Sequence, residues 1–518
     1  MIVLKSLLIC FYIFVTIKFL YYLTNLYQQN HYDYKKTIPS LKKYYLTKKS
    51  FYCYLLSIPF GIIGINNSYL VLMCISIIIL AISFVFQIKY ILKLQFTKRM
   101  IRLWVTTIIF IIGITIVGFD YNSIIYILIP IYLPFLLLLT SAINLPIESI
   151  INNNYYKKAK RKLASFDDLI KIGITGSFGK TTTKDILYQI LSKKYLTLKT
   201  PKSYNTLMGI SKTINSDLNK PIELFLVEMG AFRIGEISKI SKFVKPNIAI
   251  ITQIGPQHLS TLKTIDNVLK VKLEITDGLI NNGTLILNTD NDYLNNIKDQ
   301  FNDKYKVFTY GIERGMYHVE NIVYKVDKTI FDIYKEDELL FKVTTSLLGK
   351  HQISNILASY TTLQVLKEYN IIIDNLEFNK SVEAILPTEH RLSYQKINKL
   401  HIYDDSYSSN IVGFKNAIEV LKRQKGYLAL ITPGIVDAGE DEKKLNEEIA
   451  KELEGINEIC LIKNQASIYI SKYLNDNNIE FLQFDNFKEA YKHIFKISLS
   501  KEVYLLIEND LPDSFLER

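Results

Sequence analysis

The chain changes its hydrophobic pattern about a third of the way along. Up to about residue 145 it consists of long apolar runs separated by short polar ones, and beyond about Leu169 of short apolar runs separated by longer amphipathic ones. The runs 2–23, 51–65, 69–88, 103–119 and 124–145 approach the roughly 20 apolar residues that a helix needs to cross the hydrocarbon core. They predict a membrane region of about five transmembrane helices, the second short and interrupted by Pro59. In the remainder, 170–174, 224–227, 248–252, 284–287, 427–431 and 503–507 are strand-like runs alternating with helical ones, the pattern of parallel α/β sheets. The polar stretch with Pro387 and Arg391, between a helical run ending near Leu386 and a new strand at 400–403, divides that α/β part in two. Three regions are expected: 1–150 in the membrane, 151–388, and 389–518.

Charge orients the membrane region. Lys35, Lys36, Lys42, Lys43, Lys48 and Lys49 follow the first run, and Lys89, Lys93, Lys98, Arg99 and Arg102 separate the third from the fourth. The loops near Asn66 and Asp120 carry no Lys or Arg. Positive loops stay on the cytoplasmic side, so five spans put the amino terminus outside and everything after Lys157 in the cytoplasm. The length of the first run and the lack of a small-residue cleavage site argue against a cleaved signal peptide. The net charge of +12 lies largely in these loops and in Lys157, Lys158, Lys160, Arg161 and Lys162. That placement predicts contact with anionic lipid headgroups rather than nucleic acid. With 49% hydrophobic and only 22% charged residues, the chain is too apolar to be wholly soluble. Cys10, Cys53, Cys74 and Cys460 have no metal-ligand spacing and imply no disulfide framework.

The strongest chemical signal follows the run 170–174. It reads Thr175-Gly176-Ser177-Phe178-Gly179-Lys180-Thr181-Thr182-Thr183, with a helical run from Lys184. Glycines let the backbone wrap phosphates, a helix start offers unpaired N–H groups, Lys180 can reach terminal phosphates and Thr181 can hold Mg²⁺. The expectation is a nucleoside triphosphate site. The common Walker pattern would need glycine where Ile174 stands.

This variant, Thr-Gly-Ser-x-Gly-Lys-Thr-Thr-Thr-Lys, resembles the phosphate loop of the Mur ligases, particularly the MurF branch that adds a D-alanyl-D-alanine dipeptide. Further segments are similar to the family's motifs in the family's order: Ser203-Tyr204-Asn205-Thr206-Leu207-Met208-Gly209, Val227-Glu228-Met229-Gly230-Ala231, Ile254-Gly255-Pro256-Gln257-His258-Leu259 and Lys270-Val271-Lys272-Leu273-Glu274-Ile275. Later come Gly349-Lys350-His351-Gln352-Ile353-Ser354-Asn355, His390-Arg391 and Tyr403-Asp404-Asp405-Ser406-Tyr407. Gln352 stands in place of an Asn, and Ser408-Ser409 in place of Asn-Ala, with Asn410 retained.

The resemblance implies an α-helical membrane region followed by α/β, with a P-loop Mur-type central domain and a Rossmann-like C-terminal domain. It implies ATP held by Thr175, Gly176, Ser177, Phe178, Gly179, Lys180, Thr181, Thr182, Asn355, His390, Arg391 and Asp405. Mg²⁺ would be held by Thr181, Glu228, His258 and a carbamylated Lys272, whose anionic oxygen suits a hard cation. Lys180, Lys272, His258 and Arg391 would be catalytic. The implied reaction is ATP-dependent phosphorylation of a cell-wall precursor carboxylate, then attack on the acyl phosphate by an amino acid or dipeptide amine.

Two departures bear on the substrates. About 30 residues separate the last apolar run from the glycine turn, too few for a domain that holds a nucleotide-linked sugar; an acceptor presented at the membrane is the expectation, with nucleotide-linked and lipid-linked forms both open. At the other end Glu508, Asp510 and Asp513 stand where a basic recognition segment is usual, which reads either as a solvated loop or as a site for a different amine. A poly-γ-glutamate-type or other amino-acid ligase is the related alternative. Folylpolyglutamate synthesis would not need five spans, and a lipid-II amidation subunit would carry a four-cysteine knuckle. From another class, an ATP-binding membrane sensor or transporter is weakened by the scarcity of intramembrane charge.

Overall fold

The structure is a computed structural model that describes residues 2–30, 32–41, 49–85, 93–118, 124–201, 204–256, 259–386, 390–406, 411–436 and 441–508. The chain divides into two compact units, with a boundary between Asn153 and Asn154.

The first unit is helical. α1 (Ile2–Gln29), α2 (Tyr34–Ser40), α3 (Lys49–Asn66), α4 (Leu70–Val85), α5 (Lys98–Gly118) and α6 (Ile124–Ala164) follow one another. Among the described residues α1, α5 and α6 are long and apolar enough to cross a membrane, while α3 and α4 give shorter apolar helices. All five expected runs fall on helices, of which α3 carries Pro59 and α4 is described only to Val85, inside the expected run 69–88. Apolar helices in lipid gain little from burying more apolar surface, so hydrogen bonds and small residues hold them together. Tyr12 of α1 shares its hydroxyl with Ser57 of α3 (3.0 Å) and Ser76 of α4 (3.1 Å). Gly64 lets α3 approach α4, since a Cβ there would meet Met73 Cγ at 2.9 Å. Arg102 grips Glu148 with two parallel bonds of 2.7 and 2.8 Å, and Thr107 meets Thr140 at 2.9 Å, joining α5 to α6.

The second unit, Asn154–Leu511, holds two sheets. The first contains β1 (Ile170–Thr175), β2 (Thr197–Lys199), β3 (Leu224–Glu228), β4 (Ile248–Ile251), β5 (Thr284–Asn288), β6 (Lys306–Tyr310), β7 (Tyr317–Tyr324), β8 (Thr329–Lys335) and β9 (Glu338–Thr345), in the order β2-β3-β1-β4-β5-β6-β7-β8-β9. Strand residues alternate between the two faces. Ile170, Ile172, Ile174, Ile248 and Ile250 face α7 (Lys180–Leu191) and the helix Lys350–Leu366. Phe225, Val227, Ala249 and Ile251 face the helices Leu207–Asp217, Glu236–Val244 and Ile265–Leu273, together with Ala159 and Leu163 at the end of α6. With helices on both sides, every strand position from β3 to β5 is buried, which is why these runs read as continuously apolar.

The expectation of parallel sheets holds from β2 to β6. It fails beyond, where β7, β8 and β9 form an antiparallel meander on the same sheet. Unlike β3, β4 and β5, the strands β7 and β9 carry exposed positions, as antiparallel strands open to solvent can.

The second sheet is ordered β10-β11-β15-β12-β13-β14, from β10 (Ser393–Ile397), β11 (Leu400–Asp405), β12 (Tyr427–Thr432), β13 (Glu458–Ile462), β14 (Leu482–Phe484) and β15 (Val503–Glu508). Only the edge strand β10 runs antiparallel, to β11. Phe414 and Ala417 from the helix Ile411–Lys422 cover one face, and Ala490 and Ile494 from the helix Phe487–Ser498 cover the other.

In the first sheet the chain leaves β1 through α7 to β2 on one side, while β4 leads on to β5 on the other, so the carboxyl ends of β1 and β4 open between diverging connections. Open α/β sheets bind ligands at such a switch point.

Candidate active site

The turn from β1 into α7 occupies that switch point. Gly176 has φ +148°, and a Cβ there would lie 2.1 Å from Thr252 Oγ1; Gly179 has φ +82°, and its Cβ would lie 2.6 Å from Asn355 Oδ1. Both positions therefore demand glycine. The turn is stitched to the end of β4: Ser177 donates its N–H to the Gln253 carbonyl at 2.6 Å and its hydroxyl to the Gly255 carbonyl at 3.0 Å, and Thr252 Oγ1 donates to the Phe178 carbonyl at 2.5 Å. Thr175 anchors the other side through the Met229 carbonyl at 2.9 Å. The helix begins at Lys180, four residues before the run expected to be helical, because Gly179 caps it.

Lys180 folds back over this turn and donates to the Gly176 and Ser177 carbonyls at 2.7 and 3.0 Å. Its ammonium is lowered to a pKa of about 8, chiefly by burial, with Glu228 opposing and Arg391 adding to the fall. Such a lysine is pre-placed beside unpaired helix N–H groups, an arrangement suited to phosphate.

Glu228 closes β3, and its carboxylate is held on both oxygens. Oε2 accepts from Thr181 Oγ1 at 2.9 Å and pairs with Lys184 Nζ at 2.9 Å, while Oε1 accepts from Asn205 Nδ2 at 3.1 Å. Burial would raise its pKa, but Lys184, Lys180 and Asn205 outweigh burial and hold it below the usual range. A hydroxyl and a carboxylate lying together supply the hard oxygen donors that magnesium prefers. The pair therefore fits a magnesium ion. Lys272, in the helix Ile265–Leu273, is 1% exposed, and its ammonium falls to a pKa of about 7 through burial and the neighbouring Lys180, with Glu274 opposing.

A cavity of about 120 Å³ adjoins the turn, lined by Phe178, Gly179, Thr182, Asn355, Arg391 and Asp405 among others. It brings together residues on either side of the 388/389 boundary expected from sequence. Asn355 accepts from Thr183 Oγ1 at 3.2 Å, and Gln352, buried beside it, meets its amide at 3.5 Å. His351 is kept neutral, its pKa pushed down to about 4 by burial and by Arg391. His390 pairs with Asp404 at 2.8 Å, and Asp405 accepts the Leu392 N–H at 2.9 Å. Burial raises Asp405 to a pKa of about 6 against the opposing pull of the Leu392 N–H, Arg391 and Glu508, while Asp404 adds to the rise.

His258, Gln257, Ser203, Tyr407, Ser408, Ser409, Asn410, Asp510 and Asp513 lie outside the described residues. Glu508 is no solvated loop residue: it ends β15, in register with Asp405, and is buried. Among the described residues no group of three or more His, Cys, Asp or Glu side chains forms a metal cluster. Lys184 and Asn205 were not singled out as site residues by motif reasoning, although Lys184 stands one helical turn beyond Lys180, on the stripe that α7 turns toward β3.

This geometry sits on a fold shared with the Mur ligases. MurF from Thermotoga maritima in complex with ADP superposes with a TM-score of 0.62 at 24% identity over 71% of this chain and 82% of that one. MurF from Acinetobacter baumannii gives 0.62 at 22% identity over 69% and 77%. At the level of sequence, residues 174–363 match the model of the Mur ligase middle domain. The chain is a homologue of ligases named UDP-N-acetylmuramoyl-tripeptide--D-alanyl-D-alanine ligase. That of Buchnera aphidicola subsp. Acyrthosiphon pisum is 29% identical over 349 residues, 65% of this chain and 72% of the relative. That of Bacillus subtilis is 28% identical over 280 residues, and the chain spans 58% of its length.

Proposed function

We propose that this chain is a membrane-anchored, ATP-dependent amide ligase that joins an amine to the carboxylate of a cell-wall precursor on the cytoplasmic face. The observation that carries the reading is the glycine turn with Lys180 at the end of β1, set beside the carboxylate of Glu228 at the end of β3. ATP is assigned to residues 175–182 with Asn355, His390, Arg391 and Asp405, and the 388/389 boundary is taken as the division between a P-loop central domain and a Rossmann-like C-terminal domain.

In this mechanism an acceptor carboxylate oxygen attacks the terminal phosphorus of ATP, ADP leaves, and the amine then attacks the acyl carbon of the mixed anhydride and expels phosphate. Lys180 and the α7 N-terminus neutralise and position the transferring phosphoryl group. Magnesium, when bound, polarises that group and spreads its charge. Thr181, Glu228, His258 and Lys272 are assigned to hold it. Lys272 takes part as a carbamate, for which its buried amine, with a pKa of about 7, is suited because CO₂ adds to the neutral form. Arg391 and Asp405 reach the cavity from the C-terminal side, so that closure of the two domains completes the site.

The acceptor is a muramoyl peptide presented at the membrane, lipid-linked rather than free, and the amine is an amino acid or dipeptide of the D-alanyl-D-alanine kind. Purified full-length chain is expected to consume ATP only when both a carboxylate acceptor and an amine are supplied. Lys180→Ala should lower kcat at least about 100-fold while the protein still inserts in vesicles. ATP turnover with neither substrate, as a sensor or transporter would show, rejects the ligase reading.

A further inference from the structure

The run Thr181-Thr182-Thr183-Lys184 carries a cation that the reaction above does not use. Lys184 is wholly buried on α7, and its Nζ lies 2.9 Å from Glu228 Oε2, the same oxygen that accepts from Thr181. Glu228 is itself buried on a strand with no exposed position. An anion there without a counter-charge would be strongly destabilising. A divalent cation spanning Thr181 and Glu228 would draw on the oxygen that Lys184 already faces, and two cations on one carboxylate oxygen repel each other.

We propose that Lys184 is a built-in counter-ion that stands in for the divalent cation at Glu228, keeping the carboxylate aimed at Thr181 and making metal binding weak until the triphosphate arrives. The order of loading follows from charge. Against Lys184 alone the bare site offers little net attraction, whereas a nucleotide brings enough negative charge to outweigh the lysine. Lys184 is on this account a positioning residue, acting through Glu228. The inference rests on the assignment of Glu228 as a metal ligand. A lysine serving only to fill space would behave oppositely: a methionine of similar length would replace it with little effect on metal affinity.

The test uses the full chain in detergent, with Mn²⁺ as probe followed by electron paramagnetic resonance, and thermal melting with and without Mg²⁺, without nucleotide, alongside a wild-type control with Mn²⁺ and ADP. Lys184→Met should bind Mn²⁺ about tenfold more tightly than wild type or better, and its Tm should rise more on adding Mg²⁺. If the variant does not fold in metal-free buffer, the inference requires that Mg²⁺ restore folding, and that Lys184→Met combined with Glu228→Gln fold without metal and bind no Mn²⁺. Unchanged or weaker Mn²⁺ binding by Lys184→Met overturns it, as does a folding defect that neither Mg²⁺ nor Glu228→Gln relieves. A wild-type chain that binds no Mn²⁺ even with ADP would remove the metal assignment of Glu228 too. Binding with ADP, together with an unmoved variant, would remove the counter-ion inference alone.

Discussion

Three lysines gather around the carboxyl ends of β1 and β3, and burial gives each a different chemistry. Lys180 is lowered to a pKa of about 8, chiefly by burial, and its ammonium is folded onto the turn. Lys184 is locked against Glu228. Lys272, buried and repelled by Lys180, has a pKa of about 7, so half of its amine is neutral near that pH and most of it above. Only the neutral amine adds CO₂. With ¹³C-bicarbonate the full chain should therefore show a carbamate carbon signal that grows as pH rises through about 7, roughly three units below the range of an exposed lysine. Lys272→Arg should lack it, and a signal that needs pH near 10 would show that Lys272 is not the carbamylated group.

At the scale of elements, the glycine turn decides whether β1 can hand over to α7. Gly176 and Gly235 both have positive φ, at +148° and +87°, but only Gly176 is crowded: a Cβ there would strike Thr252 Oγ1 at 2.1 Å, while Gly235 has nothing within 4 Å. Gly176→Ala is therefore expected to lose about 2–4 kcal/mol of stability, from strain and overpacking together, and to abolish nucleotide binding. Gly235→Ala should lose only about 1 kcal/mol, from its backbone conformation. Chemical denaturation of both variants, with ADP titration, checks the contrast; equal losses would mean that the close approach of β4 is not what shapes the turn.

On the scale of the whole molecule, the unit beginning at Asn154 closes its own cores, with Tyr156, Ala159 and Leu163 from the end of α6 packed into it. A fragment 154–511 is accordingly expected to fold and to turn over a soluble acceptor at a rate within about threefold of the full chain. On a lipid-linked acceptor in vesicles it should fall at least about tenfold behind, because the full chain keeps enzyme and substrate on one surface and so raises their effective concentration. Rates measured side by side on both acceptors check this. Equal performance on the lipid-linked acceptor would end the idea of membrane presentation.

Local pattern alone disclosed the apolar helices, the strands β1, β3, β4, β5, β12 and β15, the glycine turn and the strand-end position of Glu228, because each rests on periodicity or on neighbours close in the chain. The meander β7–β9 was missed, since whether a strand pairs in parallel or antiparallel fashion depends on which edge it meets. Lys184 carried no assigned role, and Glu508 stayed open between a solvated loop and an amine site, because burial is not a property of a residue but of what packs over it. The convergence of Thr181, Lys184 and Asn205 on one carboxylate, and of Arg391 and Asp405 on the cavity beside Gly179, joins segments up to more than two hundred residues apart. Composition and spacing determined which chemistry the chain could carry. Only the folded sheet, by excluding water from Glu228 and Lys272 and placing Thr181, Lys184 and Asn205 at hydrogen-bonding distance from Glu228, decided what these groups face.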